Sequence, residues 1–360
     1  NIFYAHNLKT NQIIELANLK MADEPKGVQA AKSYLAKEQT KLIKYIALKQ
    51  HNSELREQQT DTLKAQNGSI TQTSYYFGKN RRVSEASLSP AGDKLLVSIT
   101  SAKPTTDKTD IMPNYITKDG KIVAQKARAR VANNRQYKEQ LFMLNLTKHQ
   151  KTALSYESLP GFDEDVLASV RKENYAREGK VYVSKRQPRN IHLLQMYNPV
   201  KWTKDGSKVA LMLEAWDNKD RWLTTVDLEK NTLVTQHRLH DDAWINWNFN
   251  EFGWVNTAKP SLFYLSEESG YSHLYVKPLN KNSKAKQLTS GKYEVSDVTL
   301  SKDNSRFIFK ANKKHPGIYE IYQVDMSKKI TALTDLGGKN DYALSPDESK
   351  LLIEHSTVTM

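Results

Sequence analysis

The chain has 360 residues, no cysteine, 38% hydrophobic residues and a formal net charge of +14 from 54 Lys and Arg against 40 Asp and Glu. Lack of cysteine excludes disulfides and thiolate chemistry, and no run approaches the roughly 18 apolar residues of a membrane-spanning helix. The lysines are spread along the whole sequence among interspersed acids, with no dense basic stripe and no groove-reading motif, which argues for a solvated surface and against nucleic-acid binding.

In chain order, Asn1–Lys9 reads as the third strand of a four-stranded unit and Gln12–Leu16 as its fourth. Residues 1–21 are therefore expected to be the end of a truncated unit, and the chain a fragment of a longer polypeptide. It opens without a methionine or a signal-peptide pattern. Residues 22–67 are dominated by Ala, Leu, Lys, Glu and Gln. Val28, Ala31, Leu35, Leu42 and Ile46 recur at helical spacing, which predicts one long or two shorter amphipathic helices. Asp23 is the expected N-cap with Pro25 in the first turn, and Asn67-Gly68 the stop. This helical insertion is expected to pack on the sheets rather than to serve as a lid or an arm to another subunit.

After Gly68 the pattern turns to β, and one phrase recurs: a polar turn feeding an apolar strand. It appears as Ser89–Val97, Thr203–Leu211, Ser301–Phe309 and Ser345–Ile353, with a degenerate copy at Asn256–Tyr264. Starts at 203, 256, 301 and 345 give a spacing near that of units of about 40–45 residues with four strands each. Third strands are predicted at Gln140–Asn145, Trp222–Asp227, His273–Val276 and Ile318–Asp325. Fourth strands are predicted at Leu233–Thr235, Gln287–Thr289 and Thr331–Thr334, on aromatic and β-branched enrichment between short polar turns. The expected fold is all-β, a β-propeller of four-stranded blades belonging to a seven- or eight-bladed propeller, with the helical insertion near the N-terminus. Blades occupy 68–360. A polar insertion is expected at 104–140, and another at 160–198, with a helix from Asp163 to Glu173 and a strand at Lys180–Val183.

Chemical motifs are sparse. The sequence holds no Gly-x-Ser-x-Gly nucleophile elbow, no His-Glu-x-x-His and no phosphate-cradling glycine loop, and nothing in it asks for a cofactor. His237-Arg238-Leu239-His240-Asp241-Asp242 carries metal-ligand types, but its side chains need not converge, and a polar inter-blade loop is the expectation. Between Ala243 and Trp254 lie five aromatic residues. Alternation places Trp247, Phe249 and Trp254 inside and leaves Trp244, Asn246, Asn248 and Glu251 to face a groove or channel. Rings supply contact area and a carboxylate can hold an amine, so Trp244, Trp247 and Glu251 are the candidate peptide-binding residues. Glu267-Glu268, in the hairpin between second and third strands, is expected to be solvated.

The segment Leu265-Ser266-Glu267-Glu268-Ser269-Gly270-Tyr271-Ser272-His273-Leu274-Tyr275, with Tyr293-Glu294-Val295, resembles the N-terminal β-propeller of the dipeptidyl peptidase IV branch of the prolyl oligopeptidase family of serine peptidases. The Trp244–Trp254 stretch and the Glu-, Lys- and Gln-rich helix add to the likeness, which covers most of the chain. It implies a two-domain periplasmic peptidase in which the propeller gates access for large substrates and helps bind peptides. The partner is a C-terminal α/β-hydrolase domain of the same polypeptide, and the catalytic serine, aspartate and histidine lie there. That domain is absent here, so the chain is expected to be inactive alone; a homo-oligomeric parent is compatible with this. In dipeptidyl peptidases two glutamates on a short helix grip the substrate amine. The corresponding stretch Asn190–Tyr197, before Trp202, holds no acidic residue, so an oligopeptidase or acylaminoacyl-type parent stays open. The alternative reading is a free-standing TolB-like propeller used as an interaction scaffold.

Overall fold

A computed structural model describes residues 1–25, 33–70, 73–102, 109–129, 138–194, 198–257, 259–280 and 283–358. Val28 and Ala31 of the expected helix, Ala258 of the degenerate turn, and parts of 104–140 and of Asn190–Tyr197 lie outside the described residues. The chain divides into two compact units, Asn1–Ala153 and Leu154–Met360.

In the first unit, β1 (Ile2–Asn7) and β2 (Gln12–Lys20) form an antiparallel hairpin. Helices α1 (Tyr34–Leu42) and α2 (Lys44–Gln66) follow, and β3 (Ser74–Tyr76) pairs parallel with β2. The helical character of the insertion is as expected, but its start and its packing are not. Asp23 and Pro25 lie in irregular backbone. Ser33 is the cap instead, its hydroxyl accepting the Ala36 N–H at 3.1 Å, and Asn67 is the C-cap. No described residue of α2 is buried, and Leu35 and Leu42 are exposed. The apolar spacing is too sparse among Lys, Gln and Glu to form a continuous stripe. The sheet that follows has the order β4 (Arg81–Leu88), β5 (Lys94–Ser101), β8 (Gln140–Asn145) and β9 (Gln150–Leu154), all antiparallel. A separate hairpin, β6 (Thr109–Asn114) with β7 (Val123–Ala129), interrupts it between β5 and β8.

In the second unit the segment 160–190 departs from expectation. The helix α3 spans Ala168–Arg177, later than expected. Lys180–Val183 form no strand; Val181 is exposed and the Tyr182 hydroxyl donates to Asp165 at 2.6 Å. The first sheet runs β10 (Ile191–Leu193), β12 (Val209–Ala215), β13 (Asp220–Asp227) and β14 (Thr232–His240), with β11 (Val200–Trp202) also on β12. The second is β15 (Phe252–Val255), β16 (Ser261–Ser266), β17 (His273–Pro278) and β18 (Lys286–Gln287). The third is β19 (Val295–Leu300), β20 (Arg306–His315), β21 (Ile318–Asp325) and β22 (Ile330–Ala332). A final hairpin, β23 (Lys339–Leu344) with β24 (Leu351–Ser356), joins β21 through one parallel pairing.

Both faces of the middle sheet are buried. Leu262 and Tyr264 of β16 pack with Ala210, Met212 and Leu223 of the preceding sheet. Phe263 and Leu265, pointing the other way, pack with Phe307, Phe309 and Tyr322 of the following one. Successive residues of a strand face opposite sides, so a strand buried on both reads as a continuous apolar run, as Leu262–Leu265 does. Face-to-face stacking of twisted four-stranded antiparallel sheets is the propeller-type arrangement. At the crowded contact, a Cβ on Gly253 would come within 2.7 Å of the Phe263 ring.

The repeated phrase has a common structural cause. In each of the four clear copies the first hydroxyl, on Ser89, Thr203, Ser301 or Ser345, accepts the N–H five residues on at 3.0 to 3.1 Å. The same hydroxyl donates to the turn aspartate, Asp93, Asp205, Asp303 or Asp347. The fourth residue, Gly92, Gly206, Asn304 or Glu348, has positive φ. Each turn thus closes on its own side chains before the strand begins.

Candidate functional site

The three residues expected to contact peptide do not converge on one spot. Trp244 lines an open cavity of about 610 Å³ between the loop after β14 and the β16–β17 hairpin. Glu251 lines a second cavity, of about 370 Å³, with Asp297, Thr299, Lys310, Asp341 and Tyr342. Trp247, expected inside, is 64% exposed, whereas Trp254 is buried as expected and its indole N–H donates to the Lys201 carbonyl at 2.8 Å. Alternation fails because residues 241–251 are not a strand. Asp241 Oδ1 accepts the N–H groups of Ala243 and Trp244 at 2.7 and 3.1 Å. Asn246 Oδ1 accepts the Asn248 N–H at 3.1 Å, and Phe249 has φ of 58°. Short polar side chains turn the backbone here, so the two-residue period has no extended chain to act on.

The Glu251 cavity is polar and tightly bonded. One carboxylate oxygen, Oε1, accepts the Asp297 N–H at 3.0 Å, while Oε2 is buried without a hydrogen-bond partner among the described residues. Burial pushes the carboxyl of Glu251 up. The Lys310 ammonium binds Asp297 and, at 2.6 Å, Asp341, and it holds the Asp341 carboxyl below the usual range. The Tyr342 hydroxyl lies 2.6 Å from the Asp297 carbonyl and 2.9 Å from both Thr299 Oγ1 and the Ile308 carbonyl; burial pushes its pKa up to about 12. The Lys339 ammonium also reaches Asp341, at 3.2 Å. Three carboxylates thus stand against two ammonium groups, and the cavity keeps an excess of negative charge when Glu251 ionises. Asp297, Lys310 and the pair Asp341 and Tyr342 stand on three strands, β19, β20 and β23, so no local sequence pattern joins them. The alternating pattern of β19 and β23 was the only available pointer.

His237 and His240 do not share a ligand. They are three apart on β14; His237 Nε2 is 2.7 Å from Glu268 Oε2, and His240 Nδ1 is 3.0 Å from Asp220 Oδ1. No group of three His, Cys, Asp or Glu among the described residues is arranged to hold a metal. Nor is the Glu267-Glu268 pair simply solvated. Glu268 is held down by its bond from His237, and burial pushes the Glu267 carboxyl up.

Asp220 anchors the segment 160–190. Its carboxylate is fully buried and accepts Arg189 Nη1 at 2.6 Å, Arg238 Nε at 2.7 Å and His240 Nδ1. Arg189 also grips Asp217 through two bonds, at 2.6 and 3.0 Å, and donates to the Gly161 carbonyl. The Trp222 indole donates to the Pro160 carbonyl at 3.0 Å.

Against known proteins, a family model described as the dipeptidyl peptidase IV (DPP IV) N-terminal region matches residues 178–360, half of the chain. The chain belongs to this family. The match begins inside the Asp220-anchored segment and takes in the three stacked sheets and the final hairpin. Among solved structures, dipeptidyl peptidase 4 of Porphyromonas gingivalis superposes with a TM-score of 0.53 at 14% identity, over 75% of this chain and 33% of that one. A Bacteroides ovatus ATCC 8483 protein described as a dipeptidyl aminopeptidase IV gives 0.50 at 14% identity, over 74% and 36%. These likenesses establish a shared fold. The DPP IV N-terminal region described here spans about a third of the length of those two structures. The search of curated proteins returned no match. No helix among the described residues is long and apolar enough to cross a membrane.

Proposed function

We propose that the chain is the non-catalytic propeller part of a periplasmic serine peptidase. It limits access by large folded substrates and contributes peptide contacts to a C-terminal α/β-hydrolase domain of the same polypeptide. The observation that carries this reading is the DPP IV N-terminal match over 178–360, falling on stacked four-stranded sheets that hold two open cavities. Trp244 supplies an exposed ring for a peptide, and Glu251 a carboxylate whose free oxygen is already desolvated. Trp247, on the same loop, offers a second exposed ring. Nucleophile and oxyanion hole come from the hydrolase domain.

The test uses the complete reading frame. It is expected to encode, after residue 360, a Gly-x-Ser-x-Gly elbow followed by Asp and then His. Its product is expected to cleave short peptides while sparing folded proteins, and Trp244→Ala or Glu251→Gln to raise KM more than it lowers kcat. A frame without the elbow favours the interaction-scaffold reading.

A further inference from the structure

The cavity beside Trp244 has a composition opposite to that of the chain as a whole. The chain carries a net charge of +14, yet this wall holds Asp241, Glu267 and Glu268, with His240 as its only basic group among the described lining residues. The three carboxylates differ in what they are free to do. Asp241 is engaged by the amides of Ala243 and Trp244, and Glu268 by His237. Glu267 is half-buried, and its desolvation is partly relieved by the charge of Arg221 and by the Asn246 side chain. Arg221 also donates to Asn250 Oδ1 and the Asn248 carbonyl, so a cation in the cavity would share Glu267 with it.

The loop wall is braced. The Trp244 N–H is held by Asp241, and the next amide, of Ile245, donates to the Asn218 carbonyl at 2.7 Å. The indole is nonetheless 61% exposed on a rigidly held backbone, and Leu239 and Ile245 supply apolar lining. An exposed indole attracts a cation to its face, a desolvated carboxylate gains most from a charge-assisted hydrogen bond, and apolar lining suits a hydrocarbon stem.

We propose that this cavity binds an organic cation on an apolar stem, the guanidinium or ammonium of a peptide, with Glu267 taking the charge and Trp244 covering it. This rests on the peptide-binding reading above and gives it a ligand class.

The experiment titrates this chain, labelled with nitrogen-15, with three probes. They are N-acetyl-arginine amide, its neutral isostere N-acetyl-citrulline amide, and glycyl-glycine amide with a free ammonium. The indole N–H resonance of Trp244, assigned with Trp244→Phe, is expected to shift saturably with at least one cationic probe, with Kd about 1 mM. The citrulline probe is expected to bind at least about tenfold more weakly, and calorimetry to show a similar loss in Glu267→Gln and in Trp244→Ala. Each variant is checked for an unchanged melting curve. Response to arginine alone identifies a side-chain guanidinium, and response to the glycyl probe an amine terminus. Equal binding of arginine and citrulline probes, no response to either cation up to about 50 mM, or full affinity in both variants overturns the assignment. Binding is read without any hydrolysis, so failure here leaves the peptidase reading standing. Loss of that reading, through a missing hydrolase domain, leaves a cation shift at Trp244 intact.

Discussion

Replacing Asp220 by Asn removes one charge and changes almost no volume at a carboxylate that bonds Arg189, Arg238 and His240. The carboxylate is fully buried, and its loss leaves Arg189, only 6% exposed, and Arg238 each short of a charged acceptor. Breaking a buried ion pair from one side costs about 3–5 kcal/mol. Arg189 keeps Asp217, and Arg238, 23% exposed, keeps Glu164, so the lower end applies, about 3 kcal/mol. For a folding unit of this size each kcal/mol moves the melting temperature by about 2–4 °C, giving a fall of roughly 6–12 °C. Circular dichroism melts of Asp220→Asn and of Asp220→Asn with Arg238→Met measure it. The double variant is expected to recover part of the loss, since the second change removes a cation that has lost one of its two carboxylate partners. A single variant melting within about 2 °C of the parent would refute the view that this carboxylate anchors the segment 160–190.

Three further outcomes are expected. Glu251→Gln should raise stability at pH 7 by on the order of 1 kcal/mol. Burial lifts the folded-state pKa of Glu251 above its unfolded value, so the cost appears as pH rises through the folded value and vanishes below the unfolded one. Denaturant midpoints equal at pH 7, or a gain persisting undiminished near pH 4, would contradict this. Asp205, Asp303 and Asp347 are held at about 2 by the hydroxyls of Thr203, Ser301 and Ser345. Their turns should therefore keep full stabilisation above pH 3.8 and lose it as pH falls through about 2, read as carboxyl carbon titrations by NMR. Gly161→Ala places a Cβ 2.3 Å from Arg238 Nη2 at φ of +78°, where the guanidinium is tied to Asp220 and Glu164. A loss of about 1–3 kcal/mol in urea is expected, and an unchanged midpoint would show that Arg238 yields freely.

The sheets were legible because their signals are local. Each turn phrase closes on its own hydroxyl and aspartate, and strands such as Trp222–Asp227 and Ile318–Asp325 carry enough β-branched and aromatic residues to stand without context. Residues 180–183 deceived for the opposite reason. Val181-Tyr182-Val183 has strand composition, but Tyr182 is drawn to Asp165 and no neighbouring strand is offered. Trp247 was misplaced because Asx turns, which depend on Asp241 and Asn246, break the alternation that would have buried it. The polar groups around Glu251 come from the loop before β15, the β19–β20 hairpin and β23, and local pattern reading does not reach contacts between such separate segments. Glu267 looked solvated as one of a charged hairpin pair, yet the loop carrying Trp244 and Asn246 folds beside it.

The measurement closest to the central claim is labelling with a fluorophosphonate probe, which modifies an activated serine whatever the peptide specificity. The 360-residue chain should remain unlabelled. The product of the complete reading frame should be labelled at one serine, C-terminal to residue 360, and lose peptidase activity as labelling proceeds. Stoichiometric labelling of the 360-residue chain itself, or no labelled serine in the complete product, would contradict the account.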